Sequence, residues 1–118
     1  MTKSVTIYHN PRCAKSRETL SLLRQQGIDP QVILYLDVAP DAETLARLIH
    51  QLGLSGARDL MRRKEDLYRQ LNLADAHLTE EQLIEAMANH PRLIERPIVV
   101  AGQQARIGRP PEQVLEIL

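Results

Sequence analysis

Cys13 is the residue whose type and position most favour chemistry, and it is the only cysteine in the chain. It follows a strand-like run and a loop that contains Pro11, and a helical pattern begins at it. A thiol in the first turn of a helix meets unpaired N–H groups and the positive end of the helix dipole, which favour an anion. Arg12, Lys15 and Arg17 add positive charge. The segment therefore predicts a Cys13 thiolate, the nucleophilic form of cysteine, in preference to a buried structural thiol.

Ser16 stands where dithiol oxidoreductases carry their resolving cysteine, three residues after Cys13. A hydroxyl cannot resolve a mixed disulfide, so a second thiol has to come from another molecule. His9, four residues before Cys13, could pair with it. No metal is expected, because a site needs four ligands and no others are spaced for one. A phosphatase-type anion loop is excluded, because Thr19 stands where that loop needs an arginine.

Four arginines further along the chain are candidates for anion binding. Arg62 and Arg63 lie in a charged segment, while Arg96 and Arg109 each precede a proline, which holds the residue before it extended. A guanidinium is planar and always charged, and it binds oxyanions through paired hydrogen bonds. Each arginine taken alone is most often a solvated surface residue. Their spacing does not show whether they converge.

The elements that must position these residues follow the order β-α-β, a helical block, a β-hairpin and a helix. Strands are predicted at 5–8, 31–36, 97–100 and 104–107. Helices are predicted at 13–26, 41–52, 79–90 and from 110 to the end, with 56–76 charged and irregular. Asp41 and Thr79 are predicted N-caps, and Gly102 with Gln103 fits a two-residue II′ turn.

The β-α-β unit requires a parallel pair of strands, and the hairpin adds antiparallel strands. The continuous apolar run 32–34 is typical of a strand buried on both faces. The chain is therefore predicted to adopt an α/β fold: a mixed four-stranded sheet, covered by the first and last helices, in a thioredoxin-like layout with a helical insertion.

Composition excludes several classes of protein. The 118 residues are enough for one domain, which is predicted over 1–118 with the insertion at about 40–92. Acidic and basic residues balance, and Phe and Trp are absent, so neither nucleic acid nor a membrane is an expected partner. No apolar run approaches the roughly 20 residues of a membrane span, and no secretory signal is visible. A soluble cytoplasmic protein is expected.

Six segments occur in order through nearly the whole chain. They are His9-Asn10-Pro11-Arg12-Cys13-Ala14-Lys15-Ser16-Arg17, Ile33-Leu34-Tyr35-Leu36, Leu60-Met61-Arg62-Arg63-Lys64, His90-Pro91, Arg96-Pro97-Ile98-Val99-Val100 and Arg109-Pro110. Together they resemble the glutaredoxin-coupled arsenate reductase family, and they are far more specific than a lone Cys-x-x-Ser. The resemblance is strongest to a short proteobacterial branch that lacks the C-terminal extension of the arsenic-resistance enzymes.

The resemblance implies an arsenate reductase in which Cys13 is the nucleophile and His9 and Ser16 adjust its thiolate. Arsenate or a similar oxyanion is the implied substrate, glutathione the co-substrate and glutaredoxin the partner protein, with no bound cofactor and no metal. A role in arsenical resistance is implied with them. Arg12 and Lys15 depart from the resistance enzymes, which carry small or neutral residues beside this cysteine.

The resemblance also places the family's three oxyanion-binding arginines at Arg62, Arg96 and Arg109. Arg63 is an alternative to Arg62, because the alignment there is ambiguous by one position. A cis Arg96–Pro97 bond facing Cys13 is implied as well.

Two other functions stay open at this point. A branch of the same superfamily binds RNA polymerase as a transcription regulator and usually senses redox state through a Cys-x-x-Cys pair, which Ser16 removes here. The other alternative is a thiol enzyme that acts on glutathione mixed disulfides or on another oxyanion. Turnover of arsenate separates the three.

Overall fold

The computed structural model describes residues 4–118 and divides into two compact units. The first runs to Val38 and resumes at Arg96–Leu118, and the second is Ala39–Glu95. Among residues 4–118, no helix has the length and apolar character needed to cross a bilayer. The single domain over 1–118 and its insertion at about 40–92 stay predictions.

The first unit is built on a mixed four-stranded sheet, as predicted. Its strands are β1 (Val5–His9), β2 (Gln31–Leu34), β3 (Ile98–Ala101) and β4 (Gln104–Ile107), in the order β2-β1-β3-β4. β1 and β2 are parallel, while β1–β3 and β3–β4 are antiparallel. The crossover between the parallel strands is helix α1 (Ala14–Gln25). All four strands lie within two residues of their predicted limits.

Aliphatic side chains from the sheet, α1 and the C-terminal helical segment form the core of this unit. The buried cluster consists of Val5, Ile7, Leu23, Val99, Ala101, Val114 and Ile117. Fully burying one such Val, Ile or Leu side chain stabilises a fold by about 1.5–3 kcal/mol. The buried face of α1 is apolar at Leu23 but polar at Ser16 and Thr19, nearer its N-terminus. Leu23 therefore packs the C-terminal part of α1 against the core, while the N-terminal part, next to Cys13, places polar side chains in the interior.

The prediction that 32–34 is buried on both faces is wrong. Val32 and Leu34 are each 38% exposed, and the strand ends at Leu34 instead of residue 36. The sheet order explains the difference, because β2 pairs only with β1 and lies at the edge of the sheet. An edge strand of four residues leaves apolar side chains partly in solvent even where its sequence resembles that of a central strand.

The hairpin between β3 and β4 has the predicted geometry. Ala101 and Gln104 pair across a two-residue turn, and Gly102 has φ +62° while Gln103 stays outside the positive-φ region. A positive φ at the first central residue alone is the requirement of a II′ turn, and glycine meets it without a steric penalty.

The C-terminal segment Pro111–Ile117 is a 3₁₀ helix and not the predicted α-helix. Two prolines supply no N–H donors at its start, and only seven residues follow before the chain ends, so a long α-helical ladder has little to build on. Its predicted apolar side, Val114, Leu115 and Leu118, is only partly right: Val114 and Ile117 are buried in the core, whereas Leu115 and Leu118 are each 39% exposed.

The second unit is helical and its caps explain its boundaries. Its elements are α2 (Ala42–Gln51), α3 (Asp66–Gln70), α4 (Glu80–Asn89) and 3₁₀ helices at Ala57–Leu60 and Pro91–Leu93. Asp41 accepts a hydrogen bond from Thr44 N–H at 2.8 Å, and Thr79 forms a full capping box with Gln82. Both predicted caps are confirmed. The segment predicted as irregular contains α3 and the first 3₁₀ helix.

Candidate active site

A tight turn after β1 carries Cys13. Its N–H donates to the Asn10 carbonyl at 3.0 Å, and Arg12 N–H donates to Asn10 Oδ1, also at 3.0 Å. The Arg17 guanidinium donates to the Pro11 carbonyl at 2.9 Å. Pro11 fixes its own φ within this turn. Three hydrogen bonds thus hold the backbone before the sulfur in one conformation.

Cys13 occupies the N-cap of α1, with φ −94° and ψ 123°, and is 9% exposed. Burial raises the pKa of its thiol. The Ser16 N–H, the charge and hydrogen bond of Arg96, and the Lys15 N–H lower that pKa by more, so it lies below its ordinary value. The predicted thiolate at a helix start is therefore supported by both backbone and side-chain donors.

Arg109 and Arg96 come from the distant end of the chain to the sulfur. Arg109 Nη2 donates to Cys13 Sγ at 3.7 Å, and Arg109 Nε donates to the Arg96 carbonyl at 2.8 Å. The peptide bond between Arg96 and Pro97 is cis, as the resemblance implied, and so is that between Arg109 and Pro110. Two of the three predicted arginines are thus brought together beside Cys13.

Arg96 Nε is buried and has no hydrogen-bond partner among residues 4–118. Leaving a buried donor unsatisfied costs about 1–3 kcal/mol, and charged groups cost more. The same guanidinium lowers the pKa of Cys13, so the unsatisfied donor belongs to a group that acts on the sulfur.

Gly108 is a positioning residue that the sequence analysis missed. A Cβ at this position would lie 2.5 Å from Thr19 Oγ1 and 2.9 Å from Pro97 Cγ. Thr19 is buried and donates its hydroxyl to the Lys15 carbonyl at 2.7 Å, and Gly108 N–H donates to the Pro97 carbonyl. Only glycine lets the segment that carries Arg109 approach α1 so closely. A glycine directly before an Arg-Pro pair was the available signal.

His9 and Ser16 form a buried pair behind the turn. His9 Nδ1 and Ser16 Oγ are 2.6 Å apart, and Ser16 Oγ also accepts the Asn10 N–H at 3.0 Å. Burial lowers the pKa of His9, and the charges of Arg24 and Arg17 lower it further, so the ring is neutral near pH 7. Ser16 therefore joins the strand end, the turn and the helix. That His9 adjusts the thiolate stays a prediction.

Arg62 and Arg63 lie in the second unit, where both contact carboxylates. The Arg62 guanidinium pairs with Glu65 at 3.2 Å, and the Arg62 backbone N–H donates to the Leu93 carbonyl at 2.7 Å. Arg63 pairs with Asp59 at 2.9 Å and is the more exposed of the two. The role predicted for Arg62, with Arg63 as its alternative, stays a prediction.

Within residues 4–118, no group of three or more His, Cys, Asp or Glu side chains is arranged to hold a metal ion. The groups that the structure places at this site are the Cys13 thiol, arginine donors and N–H groups at the start of α1.

Comparison with known proteins identifies the family. The family model described as "ArsC family" matches residues 8–117. The chain belongs to the ArsC family. It is 64% identical to the Escherichia coli (strain K12) protein YfgD, in an alignment that covers 100% of this chain and 99% of that protein. It is 50% identical to the "Arsenate reductase" of Haemophilus influenzae, over 98% of this chain and 99% of the relative.

The solved structure titled "Arsenate reductase from Vibrio cholerae" shares 63% sequence identity with this ArsC-family chain. The two superpose with a TM-score of 0.98 over 100% of each chain. The predicted α/β fold, a thioredoxin-like mixed sheet with helices, is confirmed by this likeness together with the observed sheet order.

Proposed function

We propose that this protein is an arsenate reductase that uses a single cysteine thiolate, with glutathione as co-substrate and glutaredoxin as partner. The observation that carries the proposal is the Arg96 guanidinium, which favours the Cys13 thiolate while its buried Nε–H has no acceptor among residues 4–118. Arsenate is a tetrahedral oxyanion, and its oxygens are suited to such donors. The arsenate reductases among the relatives support the same substrate.

Binding of arsenate uses donors that are already in place. Arg96 and Arg109 offer guanidinium N–H groups beside the sulfur, and the start of α1 offers backbone N–H groups. Charge-assisted hydrogen bonds from arginine to an oxyanion are about twice as strong as neutral ones. An anion at the first turn also meets the positive end of the helix dipole.

The reaction follows from the Cys13 thiolate. It attacks As(V), an As–S bond forms, and one arsenate oxygen takes up protons and leaves as water. A glutathione thiolate then attacks the Cys13 sulfur and forms a disulfide, while the electron pair of the As–S bond passes to arsenic, which leaves as arsenite, As(III). The two sulfurs are oxidised by the two electrons that arsenic gains.

Release of Cys13 needs a further thiol, because Ser16 offers only a hydroxyl. A glutaredoxin thiolate attacks the glutathione sulfur of the mixed disulfide and frees Cys13 as a thiolate. The Ser16 hydroxyl is instead engaged with His9 and the Asn10 N–H, so it holds the turn in place.

Purified protein with arsenate, glutathione and glutaredoxin tests the proposal. Arsenite should form, and Cys13→Ser should abolish its formation, because a serine hydroxyl is not ionised near neutral pH. Ser55→Ala, which changes an exposed serine of the second unit, should keep the wild-type rate. Absence of arsenite with folded protein would refute the proposal. If an RNA polymerase subunit then co-purifies, the regulatory alternative replaces it.

A further inference from the structure

A cavity of about 350 Å³ lies beside the turn that carries Cys13. The register of the parallel strands creates it, because His9 at the end of β1 pairs with Leu34 at the end of β2. The two chain segments that leave these strand ends form its walls. One wall is the Asn10–Cys13 turn, so the cavity and the sulfur share one rigid piece of backbone. Its volume is at the lower end of the roughly 300–1,000 Å³ of small-molecule sites.

The cavity combines opposite charges with an apolar floor. Arg12 and Asp37 line it, both are exposed, and neither side chain has a hydrogen bond or ion pair with another described residue. Asp37 is fixed by a turn in which its N–H donates to the Leu34 carbonyl at 3.0 Å. Leu34 and Leu36, 38% and 41% exposed, supply apolar surface. Asn10 adds an amide whose oxygen already accepts from Arg12 N–H, leaving its NH₂ as a donor.

We propose that this cavity binds the glutathione co-substrate, an inference that rests on the proposed function. Arg12 binds the glycyl carboxylate and Asp37 binds the γ-glutamyl ammonium. The short methylene chains of the tripeptide lie against Leu34 and Leu36, and its thiol reaches Cys13 at the end of the turn. Glutathione has a carboxylate at its glycyl end and an ammonium beside a second carboxylate at its γ-glutamyl end, so Arg12 and Asp37 each face one group of opposite charge.

Arsenate kinetics give the first test. Arg12→Ala and Asp37→Asn should each raise KM for glutathione about fivefold, the effect of losing one solvent-exposed ion pair. KM for arsenate should change less than KM for glutathione. Arg47→Ala and Asp29→Asn, which remove exposed charges outside the cavity, should leave KM for glutathione unchanged.

Asp37→Asn is the more informative variant. Glutathione carries a net negative charge, so removing a negative charge from the site would strengthen binding if only general electrostatics acted. A bond from Asp37 to the ammonium predicts the opposite, a higher KM. An unchanged or lower KM for glutathione in Asp37→Asn overturns the assignment of Asp37.

A second test needs no arsenate. The Cys13 thiolate attacks one sulfur of oxidised glutathione, forms a mixed disulfide and releases one glutathione thiolate, which intact mass measures against time. Arg12→Ala should slow this reaction about fivefold, the cost of one lost exposed ion pair. Its reaction with bis(2-hydroxyethyl) disulfide and its alkylation by iodoacetamide should slow much less, because Arg96 and the N–H groups of Ser16 and Lys15 are what lower the Cys13 pKa. The glycyl ethyl ester of oxidised glutathione should react slowly with wild type and no more slowly with Arg12→Ala.

The two tests separate this inference from the proposed function. If Arg12→Ala slows glutathionylation but no arsenite forms, glutathione binding in the cavity is supported and the reductase function is refuted. If arsenite forms but neither Arg12→Ala nor Asp37→Asn changes the glutathione kinetics, the reductase function is supported and glutathione binding in the cavity is refuted. Additive losses from the ester and Arg12→Ala would show that Arg12 does not bind the glycyl carboxylate.

Discussion

The arginines of the two units do different work. In the first unit, Arg109 donates to the sulfur of Cys13, and Arg96 lowers the pKa of that thiol. In the second unit, Arg62 and Arg63 contact the carboxylates of Glu65 and Asp59. Residue type is the same in both places, and what differs is the group that each guanidinium faces.

This contrast separates arginines that contact a carboxylate from arginines that lie beside the Cys13 thiol. An exposed ion pair such as that of Arg63 contributes about 0–1 kcal/mol to stability, because water screens both charges. The Arg96 guanidinium, by contrast, lowers the pKa of the nearly buried Cys13 thiol. Its own Nε–H has no acceptor among residues 4–118. A buried donor left unsatisfied lowers stability, so the proposed oxyanion site would carry a cost in folding free energy at Arg96.

The largest expected effect is that of Arg96→Ala. Loss of the guanidinium removes two contributions that lower the pKa of Cys13, so the pKa should rise. Arsenate kcat/KM should fall about 100-fold, as for loss of one donor to a reacting oxyanion. The pH at which Cys13 becomes reactive toward iodoacetamide should therefore also rise. Arg69→Ala, an exposed arginine of α3, is the control. Equal behaviour of the two variants would remove the contrast between the units.

Two glycines give a second, smaller effect. Gly108→Ala places a Cβ against Thr19 and Pro97 and should lower the free energy of unfolding by about 1–3 kcal/mol, with slower Cys13 alkylation. Gly56→Ala in the second unit meets only the flexible end of Glu80 and should cost less. Urea denaturation measures both. A Gly108→Ala protein as stable as Gly56→Ala would contradict the close approach at Thr19.

Arg62 and Arg63 can be distinguished directly. Arg62→Ala should raise KM for arsenate about fivefold if Arg62 is the third oxyanion-binding arginine, the cost of one exposed charged contact. Both guanidiniums already contact a carboxylate and a carbonyl, so these contacts do not distinguish them. If Arg62 has the oxyanion-binding role, Arg63→Ala should leave arsenate kinetics unchanged. The reverse result would exchange the two assignments.

The smallest effect concerns His9 and pH. Burial lowers the pKa of His9 in the folded state, so the unfolded chain binds the proton more readily. The contribution of His9 to the free energy of unfolding should therefore be constant above pH 6.5, the ordinary pKa of histidine. It should decline as the pH falls below that value. His9→Gln should lack this component of the decline. Urea midpoints from pH 8 to 5 compare the two proteins, and parallel curves would contradict a buried neutral imidazole.

Local signals were read correctly from the sequence. The Thr79 and Asp41 caps, the Gly102 hairpin and the strand before Cys13 depend on neighbouring residues, and the structure has them where they were predicted. The helix-start position of Cys13 belongs to the same class. Contacts within a few residues of each other are encoded within a few residues of sequence.

Long-range arrangement was not readable in the same way. Arg109 and Cys13 are 96 residues apart, and their meeting was implied by the resemblance alone. The exposure of Val32 depends on β2 lying at the edge, which strand order decides. Gly108 looked unremarkable because its neighbour Thr19 comes from a distant turn of α1. These features depend on how the elements pack, and no local pattern contains that information.

The hydroxyl of Ser16 has a consequence for the evolution of the site. Sulfur is a weak hydrogen-bond acceptor and donor, so a Ser16→Cys exchange would weaken the bonds to His9 and Asn10 that keep the turn rigid. A second thiol introduced by this single replacement would therefore loosen the turn that carries Cys13. Under the proposed mechanism, dependence on an external thiol therefore accompanies a rigid turn before Cys13.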